Sequence, residues 1–233
     1  MKNLVLTLCA SLLLSSAAVA EDSEAAKLSE RVEAAHVVLH ELMGTPDKGI
    51  PLDIAAKAQC VAVVPGFKKG AFVVGAQYGQ GVVTCRTGHG WSAPVFIQMT
   101  GASFGFQAGG QSTDLVLVGM NRRSMDDLLK DKVKLGGDAA VAAGPVGRNS
   151  QASTTELANA EFLSYSRSKG VFAGLDLTGD VVNENHKDTD AFYGRQLGYR
   201  EILSGSVPTP AGARHFVATV NQMFRRGEAR QGK

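Results

Sequence analysis

The sequence predicts a single α+β domain: a glycine-rich antiparallel β-sheet or barrel-like meander, flanked by an N-terminal amphipathic helix and C-terminal helices. Three observations carry that expectation. Apolar residues near the start recur at helical spacing, the centre is a series of short β-branched and aromatic runs broken by glycines, and helical patterning returns towards the C-terminus. Of 233 residues, 44% are hydrophobic and 20% charged, which excludes an intrinsically disordered chain. A formal net charge of +2 is too small for a protein that lives on neutralising nucleic-acid phosphates. The 27 glycines follow no collagen period, so they belong in tight turns and closely approaching strands.

The first element is a targeting segment. Met1-Lys2-Asn3 is a short positive start, Leu4 to Leu14 an apolar run too short to span a bilayer, and Ala18-Val19-Ala20 a small-x-small cleavage site. Residues 1–20 therefore read as a secretory signal peptide, with export to a bacterial periplasm and possible membrane association or secretion beyond it. Cys9 is a poor lipidation site, because no small residue directly precedes it. Residues 21–226 form the predicted domain, and 227–233 a polar tail.

Leu28, Val32, Ala35, Leu39 and Leu42 fall at steps of four, three, four and three, on one stripe of a helix that Gly44 ends. A short helix follows around Asp53 to Ala58. Strand-like runs then occupy 61–64, 71–78, 82–86, 91–100, 102–108 and 113–120, separated by Gly79-Gln-Gly81, Gly88-His-Gly90, Gly101 and Gly109-Gly110. Ser124 reads as the N-cap of a short helix over 125–130. Further strands are expected at 138–143, 161–165 and 171–177, and helices at 188–193 and, after Thr209-Pro210, at 210–226.

Loss of Cys9 with the signal leaves Cys60 and Cys85, both in strand-like runs and in an oxidising compartment, which reads as a disulfide; the alternative is two buried free thiols. Two catalytic patterns fail. Gly101-Ala-Ser103-Phe-Gly105 has the spacing of a nucleophile elbow but lacks the helix that must follow it. Glu33, His36 and His40 share one helix edge and are metal-ligand types, yet the order is not H-E-x-x-H and a solvated edge gives the same pattern. No enzyme activity, metal or cofactor is expected. Basic residues cluster at Lys68-Lys69 in a Pro-Gly-Phe-Lys-Lys-Gly loop, at Arg122-Arg123, at Lys130, Lys132 and Lys134, and at Arg225-Arg226. Sharing a face with the first helix, they would make a membrane-surface binder; alone, they are ordinary solvated surface.

Several blocks together resemble one family. Ala58-Gln-Cys-Val-Ala-Val-Val-Pro65, Gly70-Ala-Phe-Val-Val-Gly75, Trp91-Ser-Ala-Pro94, Gly105-Phe-Gln-Ala-Gly-Gly-Gln111 and Ser164-Tyr-Ser-Arg-Ser-Lys-Gly170 with Val171-Phe-Ala-Gly174 are similar to the SYLF domain family, over about residues 30 to 226. The resemblance implies a non-enzymatic lipid-binding domain. Eukaryotic relatives join it to Src-homology 3 or FYVE modules and bind phosphoinositides and, in fungal members, actin filaments. This chain shows neither module and carries an export signal, so phospholipid membrane surface is the expected partner, with actin a partner only by resemblance. An envelope structural or protein-interaction module is the alternative. The residues expected to meet lipid are Leu28, Val32, Leu39 and Leu42 by apolar burial, with Lys68 and Lys69 by charge.

Overall fold

The computed structural model describes residues 24–42, 49–71, 74–104, 109–128, 130, 132–145, 159–168 and 171–231. Residues 1–20, expected to be a signal peptide, lie outside them. Helix α1 spans 24–42 and α2 Leu52–Lys57. Strands β1 (Cys60–Ala71), β2 (Val74–Thr87), β3 (Gly90–Trp91), β4 (Val95–Phe104) and β5 (Gly109–Gly119) follow. Then come α3 (Arg122–Leu128), β6 (Lys132–Lys134), β7 (Val141–Ala143), β8 (Phe162–Ser168), β9 (Val171–Gly174) and β10 (Val181–Glu184). The described chain closes with α4 (His186–Tyr193), α5 (Tyr199–Leu203), a 3₁₀ turn at Ala211–Ala213 and α6 (Arg214–Gln231).

The strands form one curled sheet, a half-barrel, in the order β6-β10-β4-β2-β1-β5-β8-β7, with β3 beside β2 and β9 beside β8. Its long central strands are antiparallel; only the short β7 runs parallel to its neighbour β8. The sheet separates two cores. On one face α1, α2 and α6 pack on Val61, Val63, Val82, Phe96, Val116 and Val118. On the other, α5 and the segments around α3 and β6 pack on Ala62, Val64, Val83, Leu115 and Leu117. The Cys60–Cys85 disulfide joins directly opposed residues of β1 and β2 on that second face.

Glycines placed as turns in the sequence reading instead lie inside long strands. Gly79 and Gly81 sit within β2, where a Cβ would come within 2.5 Å of Val64 Cγ1 and 2.1 Å of the Val63 carbonyl oxygen, respectively. Bare Cα atoms there let β2 fold tightly over β1, which is how the sheet curls. Gly101, likewise, lies within β4. The Pro65 to Gly70 segment, read as a loop, is strand β1 with an irregularity at Pro65-Gly66, where Gly66 takes φ +60° and donates its N–H to Asp114 Oδ1 at 3.0 Å.

Three smaller expectations change. Asn121, not Ser124, caps α3: its Oδ1 accepts from Ser124 N at 2.9 Å, while Ser124 is buried and donates to the Asn121 carbonyl. Lys132 and Lys134 belong to strand β6, which pairs with β10, a strand the sequence reading lacked. The tail expected over 227–233 remains helical to Gln231.

Three outcomes test this account. Replacing Cys60 and Cys85 by serine should lower stability by about 3 kcal/mol, since the bridge closes a loop with sequence separation 25. Gly81→Ala should cost ~3 kcal/mol, because its Cβ meets backbone that cannot move aside. Gly70→Ala, with open space around it, should stay within about 0.5 kcal/mol. Urea unfolding of the three variants checks all of these.

Candidate functional site

Burial decides what each predicted lipid contact can do. Leu28, Val32, Leu39 and Leu42 are at most 2% exposed, packed within the α1–α6–sheet core. The stripe that could have met a membrane is therefore the inner face of a docked helix. Polar contacts fix the docking. Arg31 of α1 reaches Asp188 of α4 at 2.5 Å and donates to Gln80 of β2 at 2.9 Å, with its guanidinium 5.6 Å from the Phe96 ring centre. At the far end Arg167 of β8 pairs with both Glu41 of α1 and Asp114 of β5.

Beyond Gln80 the sheet continues past the helix layer. Register places Thr100, Tyr78, Lys68 and Ser112 in one transverse row across β4, β2, β1 and β5, and Ala102, Ala76, Gly70 and Gly110 in the next. These rows point to the α1 side, as Gln80 does, two residues after Tyr78 on the same face of β2, through its bond to Arg31. Lys68, Gly70, Ala76, Tyr78, Ala102 and Ser112 are all exposed. Tyr78, at 44%, is one of two large hydrophobic side chains exposed among the described residues, the other being Val37. The result is an open shelf of small side chains around one tyrosine with a lysine directly across from it.

Lys69 does not join that shelf. Alternation turns it to the opposite face, where its Nζ lies 5.8 Å from the Phe67 ring centre and its charge acts on Asp176 and Asp180. Lys68 and Lys69, adjacent in sequence and expected to act together, thus face different ways. Two of the other cations expected to add to a basic face are occupied locally: Arg123 pairs with Glu161 at 2.9 Å and Lys130 with Asp127 at 2.5 Å. Sequence reasoning missed Tyr78. Its signal was an aromatic residue among Gly, Gln and Ala in a strand with no apolar partner beside it.

Ser103 lies in strand β4 opposite Gly75, and the next described element is strand β5, so the strand-turn-helix of a nucleophile elbow is not formed. Asp180 is the sharpest electrostatic feature nearby. It is 2% exposed, and its carboxyl fills the space where a Cβ on Gly101 would stand. Burial pushes its pKa up from 3.8 to about 6, partly opposed by the Lys69 charge and reinforced by Asp176. A raised carboxyl favours the folded state only when protonated. Its contribution is full below 3.8 and is lost as pH rises through about 6. Asp180→Asn should therefore stabilise the protein at pH 7 by on the order of 3 kcal/mol and change little at pH 3.5, as read by chemical unfolding at the two pH values.

Comparison with known proteins agrees with the blocks that resemble the SYLF family. A family model described as "Ysc84: Las17-binding protein actin regulator" matches residues 100–223. SH3 domain-containing YSC84-like protein 1 of Rattus norvegicus is 36% identical over 185 residues, covering 78% of this chain and 54% of the relative. Its Homo sapiens counterpart is 36% identical over 170 residues, with 72% and 49% covered. LAS seventeen-binding protein 3 of Saccharomyces cerevisiae is 33% identical over 190 residues, with 79% and 41% covered. The chain spans about half the length of these relatives or less, so what is shared is the domain described above. On that coverage and identity, the chain belongs to the SYLF (Ysc84) domain family.

Proposed function

We propose that this protein is a non-enzymatic binding module that associates with phospholipid membrane surfaces through the open sheet shelf centred on Tyr78 and Lys68, after export to the periplasm directed by residues 1–20. The observation that supports the shelf over the helix is the contrast in burial: the α1 stripe is inside the core, and Tyr78 with Lys68 is outside it. An exposed tyrosine suits the boundary between head group and acyl chain, where its ring is apolar and its hydroxyl wet. A lysine beside it adds about 1 kcal/mol near an anionic surface. Undocking α1 instead would expose five large side chains, Leu28, Val32, Val38, Leu39 and Leu42, at roughly 2 kcal/mol each, along with the sheet face beneath them. Undocking would therefore cost on the order of 10 kcal/mol, whereas the shelf is already exposed and binds without unpacking the core.

The names of the relatives favour a second reading, in which the same shelf docks a protein. The family description speaks of binding Las17 and regulating actin, and the yeast protein's name of binding LAS seventeen. For an exported chain this becomes an envelope structural or protein-interaction module.

Co-sedimentation of residues 21–233 with zwitterionic and anionic vesicles, across a salt series, separates the readings. Wild type should bind anionic vesicles and release with salt. Lys68→Glu should weaken that binding about tenfold or more, Tyr78→Ala should weaken it in both vesicle types, and Lys69→Glu should have the smaller effect because Lys69 faces Asp176 and Asp180. Wild-type affinity in Lys68→Glu and Tyr78→Ala would remove the shelf from the account. No vesicle binding by wild type would leave the protein-docking reading.

A further inference from the structure

Three of the chain's five histidines, two on α1 and one on α6, meet on the outer surface between these helices. The His36 ring centre lies 5.9 Å from that of His40 and 6.0 Å from that of His215. Between them stands Glu33, with Oε1 3.9 Å from His36 Nε2 and Oε2 3.7 Å from His215 Nδ1. The helix-edge triplet of Glu33, His36 and His40 gains His215 only through the tertiary fold. His36 is also oriented. Its Nδ1 is 2.8 Å from the hydroxyl of Thr219, a residue 7% exposed, which leaves Nε2 turned to the carboxylate. An inner nitrogen held by the protein and an outer one free is the arrangement of a metal-ligating histidine.

As the side chains stand, no three such groups among the described residues converge closely enough to hold an ion. The gap is small. Two ligands on a tetrahedral zinc are about 3.3 Å apart, given bonds of about 2.05 Å. Closing 3.9 and 3.7 Å to that distance takes about half an ångström for each carboxylate–imidazole pair, and bringing the His36 and His215 rings, 6.0 Å apart centre to centre, onto one ion takes side-chain rotation of Glu33 and His215, which are 53% and 80% exposed. We infer that Glu33, His36 and His215, with His40 in reach as a further ligand, form a surface site for a borderline divalent transition metal such as Zn²⁺ or Cu²⁺. Imidazole nitrogens with one carboxylate select that class over Mg²⁺ or Ca²⁺, which prefer all-oxygen shells. A bound ion would staple α1 to α6 across the edge of the core that holds the α1 stripe.

Titration of the full chain with Zn²⁺ by calorimetry, paired with thermal unfolding, tests the site. One ion per chain should bind at pH 7.5 and raise the unfolding temperature, and binding should fade on acidification as the ligands take up protons. His215→Ala, at an exposed position, should abolish binding. His36→Asn should do the same while keeping a partner for Thr219. Thr219→Val should weaken it about tenfold by freeing the His36 ring. His186→Ala, a histidine on α4 paired with Glu184 at 2.9 Å, should leave it unchanged. Absence of saturable Zn²⁺ binding, or equal binding in His215→Ala and His36→Asn, would overturn the inference.

Discussion

The burial of one helical stripe governs this molecule. Leu28, Val32, Leu39 and Leu42 seat α1 on one face of the sheet, and everything on that side takes its position from the contact. It brings Glu33 and His36 against α6, carries Arg31 to Asp188 and Gln80, and closes the core against Trp91, whose ring stacks 5.0 Å from that of Phe224. At roughly 2 kcal/mol per large side chain the contact outweighs any one surface interaction available to the helix. It also sets the limit of the covered surface. Towards Tyr78 and beyond it the strands run on with no helix of the described residues above them.

That overhang exists because the strands are long, and they are long because glycine lets them bend without breaking. Gly79 and Gly81 allow β2 to lie against Val63, Val64 and Phe67 of β1 at distances no side chain tolerates, and Gly101 leaves room for the buried Asp180 carboxyl. Curl and overhang are two results of the same residues. The outward row that they expose holds Tyr78 and Lys68, while the inward row holds Lys69 and the acidic pair it faces, so a single strand separates a cation for solvent from a cation for the fold.

Periodicity made α1 readable to within a residue or two, since its stripe is regular and buried on one side only. The disulfide was readable for a similar reason: two cysteines in two strand-like runs meet if the runs pair. What misled was glycine. A Gly-x-Gly interrupting apolar runs has the look of a turn, and nothing local distinguishes it from a bend in a continuous strand whose neighbour lies at close range. Period-two alternation across Lys68-Lys69 was likewise hidden once Pro65-Gly66 had been taken to end the strand. The tertiary partners of the site residues, His215 for His36 and Thr100 for Tyr78, depend on pairing distant segments, for which single-chain patterning holds no signal. Strand β10 and helix α5 were too short and too mixed in composition to announce themselves.

A domain that keeps its amphipathic helix inside and offers a sheet face outside differs from a peripheral protein that inserts a helix. The claim that joins fold to function is that α1 stays docked when the surface binds. Hydrogen exchange of residues 21–233, with and without anionic vesicles, tests it most directly. The account predicts unchanged protection of amides in α1 and slower exchange in the distal parts of β1 and β2 around Lys68 and Tyr78. Loss of protection along 24–42 on vesicle binding, with no change in the shelf, would show the helix to be the lipid-binding element and contradict the account.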